Sequence, residues 1–380
     1  MHMSRLKLTF ALGALISVFA AAPAVAQTDV STGTSNGATT TTTTTVTAVN
    51  IVTNISGGSL GGGLPGGGGG FGGGLTPGGG GGAPGGGGAP GGGTNGNQQG
   101  FNFNGPDGIA VNEKGAAAGN VNGKLAVWVR GSYATFDQDQ TQIQADGDTY
   151  TLGGGADWKF SDRFVGGLSL SAYTSDTTLT FNNGNLDTEG FVVAPYFAAI
   201  LGKNRNFLVD GAVGYGIASN DTDRNFGGIT GSYDSDMWFA SGGISYLYSR
   251  GKFGITPRIG LLWLDSTNDG YTEAGAGGVA VPGSDTQLGR VSFGGTVTYY
   301  ATPKFAPFVS VTGEYDFETE DYSAFTAGNR PSVEDFGATV GLGAAVKLSD
   351  RASGTLEGTT ALGRSDYASY TLSGTLRFSF

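Results

Sequence analysis

Hydrophobic and polar residues alternate along most of the chain after residue 124. In the last stretch, residues 370–380, the apolar positions recur at every second residue, and Thr, Ser and Arg occupy the positions between them. A period of two is typical of a β-strand with one apolar and one polar face. A strand that ends on an aromatic residue fits a barrel-closing strand whose last ring lies at a membrane interface.

Twelve stretches of this kind follow one another to the end of the chain. Every second residue from Tyr150 to Phe160 and from Phe253 to Trp263 lies on one mostly apolar face. We therefore predict an all-β fold, with strands near residues 124–136, 148–160, 163–174, 188–201, 205–219, 234–249, 252–265, 286–301, 304–317, 333–347, 351–363 and 367–380.

The predicted connections fall into two classes. Five are tight and each carries a Lys or Arg, at residues 160–164, 201–206, 249–253, 301–305 and 348–352. The other six are mostly long and acidic, including residues 137–148, 220–236 and 265–285. Short periplasmic turns and long external loops are typical of outer-membrane barrels. The pattern predicts a transmembrane antiparallel up-and-down β-barrel over residues 124–380, with both ends on the short-turn side.

The face opposite the apolar one carries charges that we expect to point into the lumen. A Lys or Arg on the lipid face at mid-membrane would cost about 2–4 kcal/mol. The predicted lumen-facing residues are Arg130, Asp157, Lys159, Asp210, Arg258, Arg290, Glu314, Glu357 and Arg377. The four arginines either line a pore or, as we favour, pair with acidic residues and fill the lumen.

Aromatic residues collect near the predicted strand ends, where outer-membrane barrels carry two interfacial girdles. The short-turn girdle is predicted to contain Phe160, Phe164, Phe207, Tyr248, Phe253, Phe305 and Phe378. The opposite girdle is predicted to contain Tyr133, Phe136, Tyr173, Tyr215, Trp238, Trp263 and Tyr315.

The first 26 residues have the pattern of a secretory signal peptide. Arg5 and Lys7 precede an apolar stretch, and Ala24 and Ala26 form a small-residue cleavage site before Gln27. The alternative, a membrane anchor, is disfavoured because the apolar stretch is short. Such a signal makes the Sec translocon an expected partner.

The segment between the signal and the barrel is dominated by small residues. Residues 27–56 are rich in Thr and Ser, and residues 57–105 are rich in Gly and Pro. A glycine-rich chain loses much entropy on ordering and buries few side chains, so we predict a disordered linker. It is either a tether or exported tail, or a spacer without a role of its own. Residues 106–123 are a candidate helix that would plug the lumen, weakened by Gly108, Gly115 and Gly119.

Composition excludes several function classes. The net charge of −11 argues against nucleic acid as a partner. His2 is the one histidine and cysteine is absent, so the mature chain would lack a Ser–His–Asp triad, a cysteine nucleophile and the usual zinc ligands. Residues 221–232 begin like a calcium loop but lack its glycine and glutamate positions. We expect no enzyme, cofactor or metal site, although a carboxylate-only or Ser–Lys site stays open.

Residues 124–380 resemble the translocator barrel of bacterial autotransporters, the type V secretion family. The resemblance rests on WVRGSYATFD at 128–137, on GGGADWKFSDRFVGGLSLSAYTSD at 153–176 and on the terminal LRFSF. It implies a twelve-stranded barrel, a lumenal helix before the first strand and export of the preceding segment. It also implies an assembly signal read by the outer-membrane assembly machinery, which we place at Tyr370, Leu372, Leu376, Phe378 and Phe380.

This chain departs from the family in the segment that would be exported. Family members usually carry a long passenger, whereas here residues 27–105 alone lie between the signal and the candidate plug. The leading hypothesis is a translocator barrel that exports or displays its short N-terminal region. The alternative is a structural or pore-forming outer-membrane protein that acts through its acidic loops. Expected partners are membrane lipids and lipopolysaccharide, whose phosphates divalent ions would bridge to those loops.

Overall fold

The computed structural model describes residues 76–77, 100–102, 110–112, 125–139, 144–275, 277–318, 335–349, 351–364 and 367–380. Before the barrel it assigns three short strands, Thr76–Pro77, Gly100–Asn102 and Ala110–Asn112. The predicted signal peptide, the Thr/Ser-rich segment, most of the linker and most of the candidate helix at 106–123 lie outside the described residues.

Twelve long strands form the barrel, as the alternation predicts. They are β1 (Leu125–Gln138), β2 (Ala145–Ser161), β3 (Phe164–Leu179), β4 (Gly184–Leu201), β5 (Phe207–Arg224), β6 (Ile229–Tyr246), β7 (Phe253–Asn268), β8 (Ser284–Tyr299), β9 (Phe305–Glu318), β10 (Phe336–Lys347), β11 (Ala352–Leu362) and β12 (Tyr367–Ser379).

Each strand pairs antiparallel with its neighbours in sequence, and the sheet closes on itself. The closing ladder joins β12 to β1 from Tyr367 opposite Gln138 to Ser379 opposite Ala126. The backbone amide of Phe380 also donates to the carbonyl of Leu125 over 2.8 Å. The described chain therefore enters and leaves the barrel at the same end, the end with the short turns.

The strands run further at the other end than the sequence predicts. The predicted loop at 220–236 shrinks to the turn between Arg224 and Ile229, and the loop at 137–148 lies between Gln138 and Ala145. A three-residue 3-10 helix, Thr180–Asn182, lies between β3 and β4. Hydrogen bonds between strands satisfy the backbone polar groups of these segments, so the segments need no apolar face. The alternation of apolar and polar residues therefore ends before the strands end.

The outer face of the barrel is apolar and the inner face is buried. Leu152, Leu170 and Ile259 are each more than 60% exposed on this face, as is typical of side chains that face lipid. The two predicted aromatic girdles are outward-facing with two exceptions. Phe136 and Tyr173 are 4% and 8% exposed and point inward. Their placement in the outer girdle was wrong, because each shares its parity with inward neighbours on the same strand.

Candidate functional site in the barrel interior

The interior holds most of the charges that the sequence places there. Arg130, Asp157, Asp210, Arg258, Arg290, Glu314, Glu357 and Arg377 are all buried. Lys159 differs, because it lies beside the short turn at the end of β2 and pairs with Asp162 over 2.8 Å. Charges removed from water need partners, and the interior provides them in separate clusters.

One cluster surrounds Asp157, near the short-turn end of β2. Arg377 on β12 and the hydroxyl of Tyr196 on β4 both donate to its carboxylate. The indole Nε1 of Trp128 on β1 donates to the Tyr196 hydroxyl over 2.9 Å. The carboxylate thereby joins β2, β4 and β12 on the inner side of the wall, and the Tyr196 hydroxyl links β1 to them. The sequence indicates the two charges but not Trp128 or Tyr196, which resemble ordinary aromatic residues of the wall.

A second cluster joins β5, β6 and β7 at the same end. The guanidinium of Arg258 binds both carboxylate oxygens of Asp210, over 2.5 and 2.6 Å. Its Nη1 also donates to the hydroxyl of Ser245 over 3.1 Å. This two-point geometry is the strong form of the arginine–carboxylate pair, and it fixes the planes of both groups.

The third cluster contains four charges and lies toward the opposite end. Arg290 on β8 donates to Glu314 over 2.9 Å and to both oxygens of Asp316 on β9, over 2.5 and 2.8 Å. Arg364, between β11 and β12, donates to Asp316 over 2.7 Å. Asp316 and Arg364 are not among the predicted lumen-facing residues. Parity predicts that Asp316 points inward, since it lies two residues beyond Glu314. Arg364 lies outside any alternating stretch, so parity says nothing about it.

Arg130 occupies the seam between the first and last strands. It donates to Ser373 over 2.9 Å and to Thr375 over 3.4 Å, both on β12. The carboxylate of Glu357 on β11 is close enough to interact electrostatically with this guanidinium. The seam is thus held on its inner side by side chains as well as by the backbone ladder.

Large inward-facing rings lie over glycines on the neighbouring strand. The cross-strand pairs are Trp128 with Gly155, Phe136 with Gly147, Tyr173 with Gly190, Tyr196 with Gly167, Phe239 with Gly214 and Phe308 with Gly343. In each pair the ring fills the space that a side chain at the glycine would need. The wall therefore accommodates bulky residues close to its own backbone. The sequence predicts a polar face of mixed charge in the interior, and the structure adds these inward-facing rings to it.

The connection between β7 and β8 is anchored at the end remote from the short turns. The guanidinium of Arg224 donates to both carboxylate oxygens of Glu273, over 2.8 and 2.7 Å. The backbone amide of Val279 also donates a hydrogen bond to the Glu273 carboxylate, over 3.0 Å. This contact with Glu273 raises the pKa of the Arg224 guanidinium. Tyr271 stacks on Tyr233 with ring centroids 5.0 Å apart. The connection is consequently packed against the barrel end.

A row of aspartates crosses four neighbouring strands near that end. Asp148 lies opposite Asp176, which lies opposite Asp187, which lies opposite Asp221. Burial raises the pKa of Asp187, and the carboxylates of Asp176, Asp223 and Asp221 raise it further. Like charges placed directly opposite one another destabilise a strand pair.

The residues predicted to form the assembly signal lie together on the outer face of β12. Tyr370, Leu372, Leu376 and Phe378 are exposed there, and Phe380 follows at the short-turn end. The predicted cleavage site at Ala24, Ala26 and Gln27 lies outside the described residues.

Within the ranges that the structure describes, no group of three or more His, Cys, Asp or Glu residues could hold a metal ion. In the same ranges no helix is long and apolar enough to cross a membrane.

A closed antiparallel barrel with an apolar outer face and a polar, ion-paired interior defines an outer-membrane β-barrel protein. The family model of the autotransporter β-domain matches residues 127–359. The chain belongs to this family, and its barrel lies in the bacterial outer membrane. A search of curated proteins found no match.

Two solved structures support the same fold. The translocator domain of the autotransporter NalP from Neisseria meningitidis superimposes with a TM-score of 0.60 at 17% identity, covering 69% of this chain and 90% of that chain. The β-domain of the Bordetella autotransporter BrkA superimposes with a TM-score of 0.55 at 14% identity, covering 68% of this chain and 100% of that chain. At these identities the likeness concerns the fold alone.

Proposed function

We propose that the barrel exports or displays the chain's own N-terminal region at the cell surface. The proposal rests on the position of the first residue of β1. Leu125 lies at the short-turn end, which is the periplasmic end in outer-membrane barrels. Residues preceding Leu125 therefore start from the periplasmic end, and the interior is the route by which they would reach the outside.

The interior is better suited to the transient passage of a polypeptide than to a permanent ion-conducting pore. Its arginines are paired with carboxylates or bound by hydroxyls, and the inward rings lie over glycines of the wall. Paired charges leave little fixed field to attract ions into an open channel. We propose that the protein is non-enzymatic, with export driven by chain entry and folding outside rather than by chemistry in the barrel.

The alternative function, a surface protein acting through acidic loops, is favoured by one feature. The aspartate row and the anchored β7–β8 connection form an ordered acidic surface at the outer end. We propose lipopolysaccharide, bridged by divalent ions, as the partner of that surface. The assembly machinery, reading β12, and the Sec translocon remain proposed partners in biogenesis.

Protease accessibility in intact cells tests the leading proposal. An epitope tag is placed after Ala83, and the barrel is followed with an antibody to its C-terminal strand. Removal of the tag by external protease, with the barrel intact, is expected if the N-terminal region is outside. Cleavage only after the outer membrane is permeabilised would place that region in the periplasm and refute export.

Ion conductance in planar bilayers separates the two functions. A translocator whose lumen is plugged is expected to conduct poorly. A large, stable conductance from the full chain would favour the pore-forming alternative.

A further inference from the structure

The outer wall of the barrel carries a groove across β4 to β8 that the export function does not use. Its volume is about 1280 Å³, above the roughly 300–1,000 Å³ of typical small-molecule pockets. Gly211 and Gly242 lie opposite each other at its floor, and Val213 lies opposite Ala240. Outward side chains such as Phe197, Ile244 and Leu261 line it. The groove therefore opens toward the membrane and not into the lumen.

The groove runs along the strands and ends near the short turns. Its lining on β6 runs from Ala240 to Tyr246, six residue steps, or about 20 Å at roughly 3.3 Å per residue. With strands tilted by about 45°, this corresponds to about 14 Å of membrane depth, half of the ~30 Å hydrocarbon core. Tyr246 lies opposite Phe207, the first residue of β5. The groove thus reaches the short-turn end of the wall, at the periplasmic interface, and its other end, at Ala240, lies opposite Trp263 of the opposite girdle.

Cations gather directly beside that end of the groove. The β4–β5 turn contains Lys203 and Arg205, and the β6–β7 turn contains Arg250 and Lys252. Neither turn contains a carboxylate side chain. Within the described ranges, no ion pair with a carboxylate is found for Lys203, Arg250 or Lys252.

The position of Arg205 adds to this local positive charge. Its guanidinium donates to the backbone carbonyl of Asp162, and Arg163 on the neighbouring turn donates to the carbonyl of Gly202 over 3.4 Å. Backbone carbonyl groups hold both arginines at the rim, and the Asp162 carboxylate also interacts electrostatically with Arg205. Because Asp162 already pairs with Lys159, the charges of the two arginines still add to those of the two turns. A negatively charged group at this rim would satisfy them.

From the apolar groove and the basic turns beside it, we propose a binding site for an anionic phospholipid of the periplasmic leaflet. An acyl chain lies in the groove over Gly242, beside the Phe197 ring that covers Gly211, and the headgroup phosphate contacts Arg250, Lys252 and the β4–β5 turn. Basic clusters next to membrane-spanning segments recognise anionic headgroups in the same way. This lipid site is separate from the proposed export function, and neither proposal depends on the other.

Native mass spectrometry of the full chain in detergent tests the site, with phosphatidylglycerol and phosphatidylcholine as separate probes. We expect a saturable phosphatidylglycerol adduct that is several-fold tighter than the phosphatidylcholine adduct. The double variant R250Q/K252Q should weaken phosphatidylglycerol binding roughly ten- to thirtyfold, about fivefold per charge removed. The matched control K347Q/R351Q removes two cations, one at the end of β10 and one in the β10–β11 turn, and should leave binding within twofold of the original.

A groove-filling variant tests the apolar half of the site. Ala240→Leu should weaken binding of the same lipid, whereas Ala344→Leu, outward-facing on β10, should not. Heat-modifiable migration on gels shows that each variant is folded. Equal binding of the two lipids, equal loss in both charge variants, or no effect of Ala240→Leu would overturn the proposal. A dimer mass abolished by Ala240→Leu would instead identify the groove as an interface between two copies and also overturn it.

Discussion

The indole ring of Trp128 occupies the space that a side chain at Gly155 would need. The two residues lie directly opposite each other on β1 and β2, and ring atoms Cε2 and Cζ2 each lie 2.6 Å from the position of an added β-carbon. The backbone carbonyl of Leu168 lies 2.8 Å from that position on the other side. A side chain at residue 155 would therefore press on a ring and on a backbone that is fixed in the sheet.

Gly155→Ala is expected to destabilise the barrel by about 1–3 kcal/mol, the usual cost of overpacking a well-filled site. Denaturant unfolding of the reconstituted protein measures the change. Gly131→Ala is the matched control, since an added β-carbon there meets only the carbonyl of Thr151 at 4.0 Å. Equal effects of the two substitutions would show that the ring moves aside freely.

Asp316→Asn is expected to destabilise the barrel by about 3–5 kcal/mol, because it leaves the buried guanidiniums of Arg290 and Arg364 without their shared carboxylate. The same unfolding measurement applies. Asp269→Asn removes an exposed carboxylate at the same end and should change stability by less than about 0.5 kcal/mol. A small effect of Asp316→Asn would mean that Glu314 alone can hold Arg290.

Asp187 should make the outer end of the barrel less stable as the pH rises. Its pKa is raised in the folded protein, so the unfolded chain ionises first and folding loses free energy through this group as the pH increases. The loss should be absent below about pH 3.9, the ordinary value for aspartate, and complete above the raised pKa of the folded protein.

Asp187→Asn should therefore increase stability at pH 7 by about 0.2–1 kcal/mol at low salt and flatten the pH dependence. Hydrogen exchange at the outer ends of β3, β4 and β5 follows this between neutral and acidic pH. High salt should reduce the gain by screening. A loss of stability at pH 7 would indicate that the carboxylate accepts a stabilising contact.

Phe380→Ser tests the assembly signal. Removing the ring from the lipid interface should cost about 1.5–3 kcal/mol of stability at most. Phe160→Ser removes another exposed ring at the same end of the barrel and serves as the control. If the assembly machinery reads β12, only Phe380→Ser should slow insertion in cells while the two variants lose similar stability in vitro. Unchanged insertion rate and yield would argue against the signal.

The strand order was predictable because a barrel wall needs an apolar residue at every second position on one face. The register at the outer end was not, because Asp187 and Asp221 pair through their backbones in water, where alternation is not required. Parity also explains what the interior prediction lacked. The parity of each strand was enough to show that Phe136 and Asp316 point inward. The ion-pair partner of Asp316, Arg364, depends on which strands far apart in sequence come together in the barrel.

The contact between β12 and β1 determines when this fold can form. Tyr367 lies opposite Gln138, so the closing ladder joins residues separated by nearly the whole barrel sequence. Until the last strand has been synthesised, both β1 and the growing end of the sheet present unpaired backbone groups that could template pairing with another chain. Contacts so distant in sequence form slowly. Closure of the barrel therefore requires β12, and any truncation before β12 leaves a sheet with two open edges.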